Sequence, residues 1–287
     1  MASYCYNMVT IFMPQDHRLQ QQRFELKYLV EESLTSGIRD FVSAYLELDE
    51  YGVGQPDFAY PVHSVYLDSD DLQTHHETIN GTKNRYKLRL RYYDDQPASP
   101  VFFEIKGRVD SCILKRRCGV RRDAVVPLLN GQWPAPEQLI TTEPRHFAAL
   151  EQFLLRMHHL NARPRLHNAY RREAWVSPHD NSVRVTLDRQ VRVEPHADFS
   201  ASVSMREPAL IYAPTVILEL KFTDRFPNWF NDLVQRFNLM QSAAAKYSGA
   251  VLLLGEARFR YRPAVVWPSA KPARPASPAA RLTPAEF

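Results

Sequence analysis

This sequence predicts an α+β protein: an antiparallel β barrel or sandwich with helices packed on one face of the sheet. Eight short runs have the length and composition of strands. Three longer stretches space their apolar residues for one face of a helix. Charged residues recur at every second position in seven of the strand runs, so the sheet has a charged face and an apolar one. Strands this numerous, with few long helices, point to an antiparallel barrel or sandwich.

Residues 1–18 read as an irregular lead-in. The first strand is Arg23–Val30, with Arg23, Glu25 and Lys27 on one side. Glu31–Glu47 follows as a helix that places Leu34, Ile38, Phe41, Val42 and Tyr45 together. His63–Leu67 is a strand, and Asp70–Ile79 a short helix capped near Ser69. In Tyr86–Tyr93, Lys87, Arg89 and Arg91 face one way and Leu88 and Leu90 the other. Asp94–Pro100 is a loop. In Val101–Arg108, Glu104 and Lys106 oppose Phe103 and Ile105; in Ser111–Val120, Lys115 and Arg117 share a face. A weak loop at Gln132–Pro136 precedes the helix Arg145–His159, whose stripe is Phe147, Leu150, Phe153, Leu154 and Met157. Three strands follow: Ala169–Val176 with Tyr170 and Arg172, Val183–Val193 with Arg184, Thr186 and Asp188, and Val216–Phe222 with Glu219 and Lys221. Pro227 opens a helix carrying Trp229, Phe230, Leu233, Phe237 and Met240. From Pro263 onward, six prolines and many alanines cannot build a core and read as a flexible tail.

The 287 residues are 45% hydrophobic and 24% charged, the mix of a soluble globular protein. That excludes wholesale disorder, collagen and a disulfide scaffold. The longest apolar runs, such as Gly249–Leu254, are core-length, well short of the roughly 18–20 residues of a membrane span. The amino terminus lacks the blocks of a signal peptide. Cys5, Cys112 and Cys118 form no CxxC pair, which fits free thiols in a reducing, cytoplasmic compartment. No Ser-His-Asp or Cys-His constellation stands out. His75-His76, His158-His159 and His167 read as surface or helix-end residues.

A net charge of +4, from 36 basic and 32 acidic residues, is too mild to argue for nucleic acid. Its distribution says more. Any one charged strand face fits a solvated outer surface. A whole set of them, rich in cations, with helices available to cover the apolar face, points to a charged lumen if the sheet closes. Like charges held close in reduced dielectric cost several kcal/mol unless something offsets them. A polyanion with a metal counter-ion does so. Arg grips phosphate with a fork and Lys with a point charge, and carboxylates hold a divalent cation. Nucleic acid asks instead for an exposed basic surface with aromatic platforms, whereas these cations alternate with aliphatic residues.

In order, the motifs are Arg23-Phe24-Glu25-Leu26-Lys27-Tyr28, Lys87-Leu88-Arg89-Leu90-Arg91, Glu104-Ile105-Lys106 and Leu114-Lys115-Arg116-Arg117. Then come Ala169-Tyr170-Arg171-Arg172, Arg184-Val185-Thr186-Leu187-Asp188, Leu218-Glu219-Leu220-Lys221 and Ala245-Lys246-Tyr247-Ser248-Gly249. Each alone is weak, but the order resembles the VTC domain of polyphosphate polymerases, within the triphosphate tunnel metalloenzyme superfamily, from about Arg23 to Leu254. The resemblance implies an eight-stranded antiparallel β tunnel (the triphosphate tunnel fold) with helices packed around the outside, over residues 19–262. It implies transfer of the γ-phosphate of ATP to inorganic polyphosphate, with Arg89, Arg91, Lys106 and Glu219 at the reaction. It also implies phosphate binding by Lys27, Lys87, Lys115, Arg117, Tyr170, Arg172, Arg184, Lys221 and Lys246, and Mn²⁺ or Mg²⁺ on Glu219. Glu25 and Glu104 read as counter-charges to neighbouring lysines, with assistance to the metal as the alternative. Arg23 stands where the superfamily's ExExK signature has its first acid, which tilts toward synthesis. Ala245 stands where the family often has serine. The chain has no room for the SPX domain or membrane helices of eukaryotic members and looks like a stand-alone prokaryotic-type domain; a membrane partner accepting the product is not visible in it, and oligomeric state is not readable. A tripolyphosphatase or nucleoside triphosphatase of the same fold, and a non-catalytic polyphosphate-binding module, are the alternatives.

Overall fold

The computed structural model describes residues 23–260, apart from 111 and 181. The lead-in, the Pro/Ala-rich tail and Cys5 lie outside these residues. In chain order the elements are β1 (Arg23–Glu31), α1 (Thr35–Val42), β2 (Glu47–Leu48), β3 (Ala59–Asp68), α2 (Gln73–Ile79), β4 (Arg85–Tyr92), β5 (Val101–Val109), β6 (Cys112–Val120), α3 (Val125–Leu129), α4 (Pro144–His159), β7 (Arg163–Val176), β8 (Val183–Pro195), β9 (Ala209–Leu210), β10 (Thr215–Thr223), α5 (Asn228–Arg236) and α6 (Lys246–Leu254).

Eight strands form one antiparallel sheet in the order β1-β10-β8-β7-β3-β4-β5-β6, and the short β2 and β9 pair onto β7 and β8. Across the two ends of this order, Lys106 on β5 donates to both Glu25 oxygens on β1 at 3.1 Å. The sheet is therefore curled into a barrel whose seam is bridged by side chains.

Alternation dictates what lies on each face. Outward residues of β3 to β6, including Leu88, Leu90, Phe103 and Ile105, pack with Leu150, Phe153, Leu154 and Met157 of α4 and Leu128 of α3. Phe103 meets Phe153 edge to face, with centroids 4.9 Å apart. On the other side, Val185, Leu187, Leu218 and Leu220 pack with Ile38 and Val42 of α1 and Phe230 and Leu233 of α5. Each such side chain stabilises the fold by roughly 1.5–3 kcal/mol, which is what fixes the charged positions inward. A third cluster joins Tyr66, Tyr170 and Ile217 to Tyr247, Ala250 and Val251, so α6 packs on the inner side of the curl.

All eight strands lie where alternation places them, but β3 begins four residues earlier than expected and β7 six. The predicted helix Glu31–Glu47 is shorter: Glu31 ends β1, a 3-10 turn covers Glu32–Leu34, and only Thr35–Val42 is α-helical. Leu34 and Tyr45 are accordingly exposed, as is Met240 beyond α5. The expected Asp70–Ile79 helix begins at Gln73, whose N–H donates to Ser69 Oγ at 2.9 Å. Two histidines correct the surface reading. His75 and His167 are buried, at 1% and 0% exposure, because α6 packs beside the first and the tilted β7 carries the second under Tyr92 and Ser202. Cys112 and Cys118 are free thiols; burial pushes that of Cys118 up to about 12. Among the described residues no helix is long and apolar enough to cross a membrane.

Candidate functional site

The curl encloses a cavity of about 600 Å³ lined by fourteen Lys or Arg residues and only two carboxylates, Glu25 and Glu219. All thirteen residues proposed from sequence line it: Lys27, Lys87, Arg89, Arg91, Lys106, Lys115, Arg117, Tyr170, Arg172, Arg184, Glu219, Lys221 and Lys246. Register explains the convergence. Lys27 pairs across from Glu219 and Glu25 from Lys221. Arg172 faces Asp188, and Arg89 lies between Tyr66 and Glu104.

Two acidic centres hold the cations in place. Glu104 is fully buried on β5. Its Oε2 accepts from Arg89 at 2.6 Å, and Arg91 Nε lies 4.0 Å away. Its Oε1 lies 2.9 Å from Lys115 Nζ and 3.4 Å from Arg117 Nε, ionic contacts rather than aligned hydrogen bonds. Burial opposes ionisation of Glu104, but these four cations outweigh it and hold the carboxyl well below its usual range. The second centre is the pair Glu219 and Asp188. Glu219 lies 2.5 Å from Lys221, 3.1 Å from Lys246, 3.4 Å from Lys27 and 3.5 Å from Arg172. Asp188 takes a fork from Arg172 at 2.7 and 2.8 Å and lies 2.6 Å from Lys246. Burial again works against the charge on Glu219, and Lys221, Lys246, Lys27 and Arg172 overcome it.

Between these centres lies a row of three lysines in which Lys106 faces Glu25 and Lys115 faces Glu104, while Lys87 has no carboxylate partner among the described residues. Lys87, Lys106 and Lys115 stand directly opposite one another on β4, β5 and β6. Like charges so placed destabilise a sheet. Burial first, then Lys27, Lys106 and Arg85, push the Lys87 ammonium down to about 7. Lys115, more open to solvent, shifts the same way. The sign of the consequence is fixed. Below pH 7 Lys87 is already charged and meets an anion at no protonation cost; above it, binding must first take up a proton. Affinity for tripolyphosphate should therefore fall as pH rises from 6.5 to 8.5, by up to about tenfold per unit for each proton taken up. Calorimetry in buffers of different ionisation enthalpy reads that uptake. Lys87→Met should flatten the profile, and an unchanged profile in that variant removes Lys87 from the effect.

Several lumen groups were not legible beforehand. Tyr60 lines the cavity because β3 starts at Ala59, on the same face as Tyr66; their signal was the alternation Tyr60, Val62, Ser64, Tyr66. Arg85 and Arg108 also line it, as does Arg23, which alternation had placed beside Glu25 and Lys27. Asp49, in a loop with no periodicity, accepts from Arg184 at 2.6 Å. At the start of α6, Ala245 offers no side-chain cap, and Lys87 donates to Ser248 Oγ at 3.3 Å.

Glu219 offers one carboxylate on the cavity wall, and like Glu25 and Asp188 it is held by cations, Lys246 and Lys27 at Oε1 and Lys221 and Arg172 at Oε2. One carboxylate is the share a magnesium-type ion takes from a protein when phosphate and water complete its shell. A hard ion that arrives with phosphate would take a Glu219 oxygen in place of a cation now against it, and Glu219 is the residue that would hold it.

A family model described as the VTC domain matches residues 22–254. The vacuolar transporter chaperone complex subunit 4 of Trypanosoma brucei brucei is 25% identical over 231 residues, 69% of this chain and 29% of that protein. The chain thus spans under a third of that relative's length. Among solved structures, a putative adenylate cyclase of Bacillus halodurans has a TM-score of 0.44 at 12% identity, over 78% of this chain and 94% of its own. A protein of Pyrococcus horikoshii has a TM-score of 0.41 at 12% identity, over 81% and 99%.

Proposed function

The chain belongs to the VTC domain family, and from that premise we propose that it is a polyphosphate polymerase, moving the γ-phosphate of ATP onto the end of a growing inorganic polyphosphate chain. The observation that carries this reading is the excess of fourteen cations around one cavity over Glu25 and Glu219 on its wall and Glu104, Asp188 and Asp49 behind it. A linear polyanion offsets that excess along its whole length, and the volume lies within the range of small-ligand sites.

Phosphoryl transfer has a loose transition state and needs positioning and charge neutralisation more than a protein nucleophile. The triphosphate of ATP runs along the wall formed by β4, β5 and β10. Arg89, Arg91, Lys106 and Lys221 hold phosphoryl oxygens. Arg89 is fixed for this by Glu104, and Lys221 by Glu219. Lys246 and the uncapped first turn of α6 add donors from a helix amino terminus. A terminal oxygen of phosphate or of the chain attacks the γ-phosphorus in line. A new P–O bond forms there, the bond to the β–γ bridging oxygen breaks, and ADP leaves with that oxygen. The attacking oxygen is already ionised, so no general base is required. Mn²⁺ or Mg²⁺ on Glu219, when bound, offsets charge on the phosphate oxygens.

Incubating the purified protein with ATP and Mn²⁺, with and without a short primer, and resolving chain lengths on a gel tests this. A ladder of chains with matching ADP is expected. Free phosphate without chains would make the protein a triphosphatase. Bound ATP with neither product would make it a binding module.

A further inference from the structure

Outside the barrel, a second group of side chains is arranged for a different ion. His75 and His76 are the third and fourth residues of α2, and Glu256 opens the 3-10 turn Glu256–Arg258 after α6. His75 Nε2 lies 3.7 Å from Glu256 Oε1, and His76 Nε2 lies 3.7 Å from Oε2. Among the described residues, these three are the group of His, Cys, Asp or Glu whose donor atoms all fall within 4.8 Å of one another.

We propose that His75, His76 and Glu256 form a binding site for a zinc-class divalent cation that pins the end of α6 to α2. The spacing is too long for hydrogen bonds. It is close to the roughly 3.4 Å between donors around a tetrahedral ion with Zn–N and Zn–O bonds of about 2.1 Å. Two imidazoles and one carboxylate suit a borderline ion, whereas magnesium prefers oxygen alone. His75 is held in place: its backbone N–H donates to Asp68 Oδ2, and its ring sits edge-on to Tyr247 with centroids 6.3 Å apart. Three protein ligands leave a fourth position for water.

The site reaches the lumen through one side chain. Tyr247 follows Lys246 in α6, and its hydroxyl donates to Asp68 Oδ2 at 2.7 Å. The same carboxylate accepts from Thr74 and His75 at the start of α2. An ion joining Glu256 to α2 ties both ends of α6 to the element that begins at Asp68. Arg260 competes, donating to Glu256 Oε2 at 2.6 Å.

The test uses the full chain, stripped with chelator and titrated with zinc alone by calorimetry, with melting followed in parallel. One zinc per chain and a raised melting temperature are expected. His76→Ala and Glu256→Gln should each weaken binding by at least about tenfold, and both spare the buried His75. Arg260→Ala should tighten binding, and a large excess of magnesium should leave it unchanged. Glu219→Gln should still bind zinc, which separates this site from the lumen. No uptake at micromolar free zinc, undiminished binding in both ligand variants, or loss of binding in Glu219→Gln each overturns the proposal.

Discussion

Glu219→Gln is expected to reduce chain synthesis by roughly 100-fold or more while the protein stays folded. Glutamine keeps the shape and two polar atoms but removes the charge. Lys221, 2.5 Å away, then loses its nearest counter-ion, and Lys27 keeps only Glu25. Lys221 already stands at about 8, because burial pulls it down and Glu219 only partly restores it. Without Glu219 it falls further and gives up its proton near neutral pH, just where a phosphoryl oxygen needs a cation. Asp188 is untouched and still holds Arg172 and Lys246, so the wall keeps its framework. The loss should therefore fall on kcat, read as ADP release, with little change in circular dichroism. Glu25→Gln removes a carboxylate whose partners are Lys106 and Lys27 and should cost under about tenfold, because Glu219 remains to balance Lys27. Full activity in Glu219→Gln would sink both the metal role and the pairing argument.

Much of this was readable from alternation alone. Period two put Lys87, Arg89 and Arg91 on one face and Leu88 and Leu90 on the other, and register did the rest. The same logic could not see groups whose position depends on contacts across the chain. Tyr60 stood outside the expected strand, which ran only from His63 to Leu67. β3 tolerates Pro61 within its ladder, and Tyr60 faces the lumen opposite Arg172. His167 looked like a surface residue because nothing in its neighbours tells which side of β7 a loop will cover. Tyr92 and the carbonyl of Ser202 close over it. His75 and Glu256 are about 180 positions apart in sequence, a separation at which spacing rules say nothing. Glu104 was legible as a counter-charge. That it would be shared by four cations required knowing that β4 and β6 both flank β5.

Glu104 carries the second large effect. At 0% exposure, it is the single carboxylate within 4.0 Å of Arg89, Arg91, Lys115 and Arg117 together. Glu104→Gln leaves those cations facing each other with no internal anion. Breaking a buried ion cluster from one side costs about 3–5 kcal/mol. For a chain of this size each kcal/mol lowers the melting temperature by roughly 2–4 °C, so a drop on the order of 10 °C is expected. A ligand that supplies negative charge to the same cations stabilises whichever protein lacks it more. Tripolyphosphate should thus raise the melting temperature of Glu104→Gln by more than that of the parent protein, and added salt should reproduce only part of the gain, because screening is diffuse and the phosphate chain is held. Equal shifts in the two proteins would mean that the phosphate lies away from Arg89 and Arg91. A variant as stable as the parent would mean that the lumen tolerates its charge without Glu104, and the lysine row of β4, β5 and β6 would then need no anion to offset it.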